Sequence, residues 1–175
     1  MTYYFVLRFD RETEKRFDAV TRAVAERGAN RYMIDAGIPP HVTVSSFCAE
    51  RPDDVKTVID ENRSLFAAGE LIWVSLGAFP PQVLFAAPVL SEYLQDFCVK
   101  LNRLISPLAE AGDYGHYLPY QWVPHTTLAT QMGESELHAA FETAVRHFTP
   151  FGGRSNRLIL AEGDPYKELA VWDLS

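Results

Sequence analysis

The chain has 175 residues, 47% of them hydrophobic and 22% charged, a size and balance that allow a buried core and exclude intrinsic disorder. Its net charge of -7 argues against long duplex nucleic acid as a partner, because that affinity comes from neutralising many phosphates. No apolar run approaches the ~20 residues that cross a bilayer, so no contact with a membrane is expected. The start of the chain, Tyr3-Tyr4-Phe5-Val6-Leu7-Arg8-Phe9, has no basic leader and carries Arg8 inside its apolar stretch; it reads as a strand and not as a secretory signal. Two cysteines, Cys48 and Cys98, sit in apolar surroundings. They read as reduced core thiols, which predicts a cytoplasmic protein.

After the first strand, Phe17, Val20 and Val24 fall at helical spacing between Asp10, a suitable N-cap, and Gly28, a suitable stop. A loop from Ala29 to Pro40 leads to a strand from His41 to Phe47. A helix from Pro52 to about Ala68 and a strand from Leu71 to Ala78 follow, and Pro80-Pro81 marks a turn. The same order then recurs: strand (Val83 to Pro88), helix (Ser91 to about Ile105), a loop rich in aromatics (Gly112 to Pro124), strand (His125 to Thr130), helix (Glu134 to about Phe148) and strand (Arg157 to Ala161). Phe151-Gly152-Gly153-Arg154 reads as a turn. A closing strand, Glu168 to Leu174, comes after the turn Gly163-Asp164-Pro165. Equivalent elements lie roughly 80 to 86 residues apart, within the few-residue error of boundary assignment, which predicts a duplication. The expected fold is α/β (α+β), a single bilobal domain over 1–175 built from repeats at about 1–81 and 82–175. Each lobe carries an antiparallel sheet with helices outside, and a cleft runs between them.

Residue identity between the halves is concentrated in one place, Pro40-His41-Val42-Thr43-Val44 and Pro124-His125-Thr126-Thr127-Leu128. Side chains at i and i+2 of a strand share a face, so His41 points with Thr43 and His125 with Thr127, while the intervening residues point into the core. Proline fits the strand entrance, where no ladder hydrogen bond is lost. Imidazole both accepts and donates a proton near neutral pH. A threonine hydroxyl donates to a phosphate oxygen. Two such pairs face to face supply a base, an acid and two hydrogen-bond donors around one phosphorus, which predicts phosphoester chemistry by His41 and His125 with Thr43 and Thr127 holding the phosphate.

Other chemistries find less support. Neither pair belongs to a His-x-His or a His-Glu-x-x-His, and neither has an acidic residue within four positions on its strand face, so neither metal nor cofactor is expected. Ser45 and Ser46 lack the Gly-x-Ser-x-Gly elbow of a nucleophilic serine. His116 reads as solvent-facing, and His138 and His147 as surface or partly buried structural residues of a helix. Arg154 and Arg157 read as solvated arginines, with phosphate contact the alternative. Trp122, Phe79 and Tyr166 read as core aromatics, with a base-stacking platform the alternative.

The paired Pro-His-x-Thr-apolar strands in a duplicated α/β chain of this length resemble the two-histidine phosphoesterase superfamily, which includes 2′-5′ RNA ligase-like proteins and cyclic nucleotide phosphodiesterases. The resemblance implies opening of a 2′,3′-cyclic phosphate, or cleavage or transfer of a 2′-5′ phosphodiester, without a metal. It implies a small nucleotide or a short RNA end as partner, with the chain acting as a monomer. Thr126 departs from the apolar residue usual between histidine and threonine in that family. The alternative in a different class is a non-catalytic module that binds a phosphorylated ligand or RNA end in the same cleft.

Overall fold

The computed structural model describes residues 1–27, 31–163 and 165–175. Gly28, expected to stop the first helix, and Asp164 of the last turn lie outside the described residues. The first part of the chain runs β1 (Thr2–Phe9), α1 (Arg11–Glu26), α2 (Tyr32–Asp35), β2 (His41–Cys48), α3 (Pro52–Glu61) and β3 (Gly69–Phe79). The second runs β4 (Val83–Pro88), α4 (Glu92–Ile105), β5 (Glu110–Ala111), β6 (Thr126–Ala129), α5 (Glu134–His147), β7 (Phe151–Glu162) and β8 (Lys167–Asp173). Among the described residues no helix is long and apolar enough to cross a membrane.

Local chemistry sets the helix starts and faces. The Asp10 carboxylate accepts from the Thr13 amide at 2.8 Å, supplying one of the orphan N–H groups of α1 with a partner. Ser91 caps α4 in the same way, and Leu94, Phe97, Cys98, Leu101 and Ile105 form its buried stripe. Several boundaries differ from the sequence reading. The segment before β2 contains the single turn α2. Helix α3 stops at Glu61, ahead of a 3-10 turn at Arg63–Leu65.

The Gly152-Gly153 pair is not a turn but part of the first stretch of β7, paired with Ile72 and Leu71. Its smallness has a reason: a Cβ on Gly153 would collide with the Thr13 hydroxyl, which accepts from the Arg154 amide. The reading of both cysteines as core thiols also needs correction. Cys98 is buried, but Cys48 ends β2 and is exposed.

The fold is mixed α/β with antiparallel pairing and helices outside, as expected, and the two expected sheets are joined into one. The ladder order is β5-β2-β1-β7-β3-β4-β6, with β8 on β7. The join is β7. Its first residues, Phe151 to Ser155, pair with β3, and from Ser155 to Glu162 it pairs with β1. The sheet curls so far that β2, next to the β5 end of this path, touches β6 at the other end. Helix α1 packs on β6 and α5, whereas α4 packs on β2, so a helix from each part of the chain covers a histidine strand of the other. One sheet face meets the helices through Phe5, Leu7, Phe9, Val42, Val44, Leu158 and Leu160. The opposite face carries a small cluster of Val6, Ile159 and Ala161 flanked by Tyr4 and Tyr166.

Thr126 is fully buried. Its hydroxyl accepts from the indole Nε1 of Trp73 at 3.1 Å, and Trp73 is fully buried as well. A valine of the same shape would leave that N–H without a partner, so Thr126→Val is expected to cost about 1–3 kcal/mol, read as a lower urea midpoint at unchanged m-value.

Candidate active site

Proline sets the start of both histidine strands. A residue before proline is confined to extended backbone, so Pro39 before Pro40 and Val123 before Pro124 hold their carbonyls in place. Nδ1 of His41 lies 2.8 Å from the Pro39 carbonyl oxygen, and Nδ1 of His125 lies 2.8 Å from that of Val123. A carbonyl oxygen only accepts, so in each ring the hydrogen sits on Nδ1, and Nε2 is the nitrogen that gains and loses a proton. His41 opens β2, while His125 stands one residue before β6. The motifs nonetheless present their imidazoles in the same way.

Both strands also break register at the same motif position. Thr43 opposes Val6 and Ser45 opposes Phe5, which leaves Val44 as the extra residue of a bulge. Thr127 opposes Phe85 and Ala129 opposes Leu84, which leaves Leu128 extra in the other strand. A bulge re-aims the strand around it. In each motif the bulged residue is the apolar one directly after threonine, exposed by only 0% for Val44 and 1% for Leu128. The two arms of Pro-His-x-Thr-apolar are thus pinned by a carbonyl at one end and a bulge at the other.

The four motif side chains His41, Thr43, His125 and Thr127 line one cavity of about 790 Å³, a size that holds a nucleotide-scale ligand. Tyr166 stacks against His41, centroids 6.1 Å apart, and Tyr117 against His125 at 6.4 Å. Tyr117 lines the same cavity as Thr43, so the aromatic loop reaches the neighbourhood of both motifs. Phe79 and Phe85 complete the setting of His125, Phe79 edge-on at 5.0 Å. Phe85 packs over Gly77, where a Cβ would come within 2.5 Å of its ring. Behind His41 the surroundings are ionic. Arg8 donates to Glu14 at 2.7 Å and to Glu168 at 2.7 Å, and Tyr166 donates to Glu168 at 3.1 Å.

Burial pushes His41 down from 6.5 to about 4, with a charge on His125 and on Arg8 acting the same way and the Pro39 bond and Glu168 opposing. His125 is also lowered, chiefly by burial, against the Val123 bond. Both rings are therefore neutral in the unliganded protein near pH 7.

The other expectations divide. Phe79 and Tyr166 line the cleft, whereas Trp122 is a core residue whose indole donates to Gln95 at 3.2 Å. Arg154 pairs with Glu70 and Arg157 with Glu14, and neither lines the cleft. His116 is exposed and lies at the cleft wall beside Tyr114; His138 and His147 are exposed on α5. Among the described residues no group of three or more His, Cys, Asp or Glu is arranged to hold a metal ion. Sequence reasoning missed Tyr117, Tyr4 and the Arg8–Glu168 pair. Strand alternation carries part of that signal, since Tyr4, Val6 and Arg8 share the face opposite Phe5, Leu7 and Phe9.

A family model described as the 2′-5′ RNA ligase superfamily matches residues 9–168. No curated protein matches the chain. Solved structures resemble it over their whole length. TT0787 of Thermus thermophilus aligns with a TM-score of 0.64 at 15% identity, covering 99% of this chain and 98% of its own. LigT of E. coli in apo form gives 0.59 at 14% identity, covering 100% and 99%. LigT complexed with 3′-AMP gives 0.62 at 13% identity, covering 99% and 97%. At these identities the likeness is one of fold.

The depressed histidines fix the sign of a pH effect. The unfolded chain takes up a proton near 6.5 that folded His41 refuses until about 4, so the contribution of His41 to stability falls as pH drops through that window and levels off below it. Nitrogen-15 NMR of the imidazoles is expected to show neutral Nδ1–H tautomers for both rings at pH 7, with His41 titrating near 4. In urea titrations His41→Gln should flatten the slope of stability against pH between 6.5 and 4.

Proposed function

Because the chain belongs to the 2′-5′ RNA ligase superfamily, we propose that it is a metal-independent phosphoesterase acting on a 2′,3′-cyclic phosphate or a 2′-5′ phosphodiester of an RNA end or small nucleotide. The observation that carries this reading is the matched pinning of His41 and His125, each through Nδ1, in one cavity that also holds Thr43 and Thr127. Structures of E. coli LigT complexed with 3′-AMP, ATP and NADP+ support ligands of the nucleotide class.

In this scheme the Thr43 and Thr127 hydroxyls donate to the non-bridging oxygens of the phosphate. The neutral imidazole of one histidine takes a proton from water at Nε2 as the water oxygen bonds to phosphorus. The other, protonated at Nε2, gives its proton to the ribose oxygen as the bond between that oxygen and phosphorus breaks. The products are a ribose hydroxyl and a phosphomonoester. Charge accumulating on the phosphorane oxygens is met by hydroxyl and imidazolium hydrogen bonds in a partly desolvated cleft. The required imidazolium, disfavoured in the absence of ligand, is stabilised once the phosphate anion is bound beside it. The chain acts as a monomer in this reading, since all four groups come from one copy.

Adenosine 2′,3′-cyclic phosphate and short 2′-5′ linked oligomers are the substrates to assay, with and without EDTA. Turnover should survive chelation. His41→Ala or His125→Ala should lose about 10²–10⁴ in kcat while keeping fold and most ligand affinity. A chain that binds these ligands at micromolar strength and turns over none of them is a binding module. Because both free imidazoles are lowered, the alkaline limb of a bell-shaped kcat/KM profile should fall below pH 6.5, and that of kcat should lie higher.

A further inference from the structure

The cleft is unusual for a phosphate site in the sign of its charges. No lysine or arginine lines it among the described residues, and its lining includes Glu162. The arginine nearest His41, Arg8, points its guanidinium at Glu14 and Glu168. The tyrosine hydroxyls of the wall give their protons to carboxylates: Tyr4 to Asp113 at 3.2 Å and Tyr166 to Glu168 at 3.1 Å. Neither hydroxyl therefore offers a hydrogen to an anion. Tyr4 presents oxygen lone pairs, with a carboxylate directly behind it. Apart from the two His-x-Thr pairs and exposed His116, the side-chain donors on the lining are neutral, the hydroxyls of Thr130, Tyr32 and Tyr117 and the amides of Gln121 and Gln131, and none carries a positive charge to balance an anion.

We propose that this is a single-charge cleft: resting on the phosphoesterase reading above and choosing the small nucleotide over the RNA end within it, the cleft accepts a nucleoside that bears one singly charged phosphodiester and rejects the same nucleoside when it carries a second phosphate. One protonated imidazole balances one phosphodiester charge. A further phosphate adds about 1.5 to 2 negative charges near neutral pH, and the remaining walls answer it with neutral groups and carboxylates but no cation among the described residues. The Tyr4 end is suited to a donor instead, such as a ribose hydroxyl or a base amino group. The same count applies to the product. Ring opening converts a singly charged diester into a monoester whose second ionisation lies near pH 6, so the reaction makes its product a poorer fit than its substrate and favours release.

The test compares three substrates at pH 7.5: adenosine 2′,3′-cyclic phosphate, its 5′-phosphate, and its 5′-O-methylcarbamate as a neutral group of similar bulk. The 5′-phosphate should lower kcat/KM at least about tenfold at low salt, and the gap should narrow as salt screens the repulsion. The neutral group should stay within about threefold of the parent. Asp113 has φ 43, a conformation asparagine tolerates, so Asp113→Asn removes the charge behind Tyr4 without straining the backbone and should shrink the penalty several-fold. Equal or better use of the 5′-phosphate, or an equal loss with the neutral group, overturns the proposal. Calorimetry on the intact chain supplies a readout without turnover: adenosine 3′-methyl phosphate should bind at least about tenfold tighter than 3′-AMP, and the reverse order overturns the charge rule. Absence of turnover with every substrate refutes the phosphoesterase reading, and the calorimetric comparison then decides the charge rule by itself.

Discussion

An imidazole whose Nδ1 hydrogen is held by a main-chain carbonyl has one reactive nitrogen, one tautomer and one orientation, and this chain builds that arrangement twice. The carbonyls belong to Pro39 and Val123, each two residues before its histidine across a proline. Proline contributes by restricting the residue before it, so the carbonyl is in position before any ligand arrives. The bulges at Val44 and Leu128 fix the other end of each motif. Their apolar side chains face the core, which anchors the irregular backbone by burial and leaves threonine on the cleft side. Each five-residue motif is thus a complete mechanical unit: a restricted entry, a pinned ring, a core contact, a hydroxyl and an anchor.

The two units are alike in backbone and different in environment. His41 has Tyr166 on its face and the Arg8–Glu168 pair behind it. His125 is held among Phe79, Phe85 and Tyr117. The two settings give the same result before a ligand binds, since burial depresses the imidazolium in both while the Arg8 and Glu168 charges act on His41 in opposite directions. They respond differently to an arriving anion, because the aromatic side has no fixed charge to offset it. Tyr117 also lines the cavity together with Thr43, so the second motif's aromatic neighbour is part of the wall that the first motif's hydroxyl shares.

Much of this was written in short-range sequence pattern, and the rest was not, for physical reasons. Alternation placed His41 with Thr43 and His125 with Thr127, and the order of elements gave the mixed α/β fold with its helices outside. Asp10 announced its helix because capping is local chemistry. The bulges were invisible, since a bulge is a relation between two strands and the partner is chosen by the whole fold. Gly152-Gly153 looked like a turn because glycine is most often used for backbone freedom; here smallness matters, against a threonine 140 residues earlier in the chain. Thr126 looked like a departure from an apolar position. It proved to be the buried acceptor for Trp73, a demand set by a residue on a strand that β6 does not pair with. Cys48 was read by its neighbours, and its place at the end of a strand decided otherwise.

Strand β7 supports β1 along most of its length and β3 along its beginning, so the two flanks that carry the histidines hang from one uninterrupted backbone. A jaw-like opening would require amide ladders to part, and the gap between the imidazoles is therefore governed by covalent continuity in the manner of a fixed-aperture gauge. The aromatic stretch that carries Tyr117 forms part of the wall around that gap, while the spacing of the imidazole nitrogens is held by the framework itself.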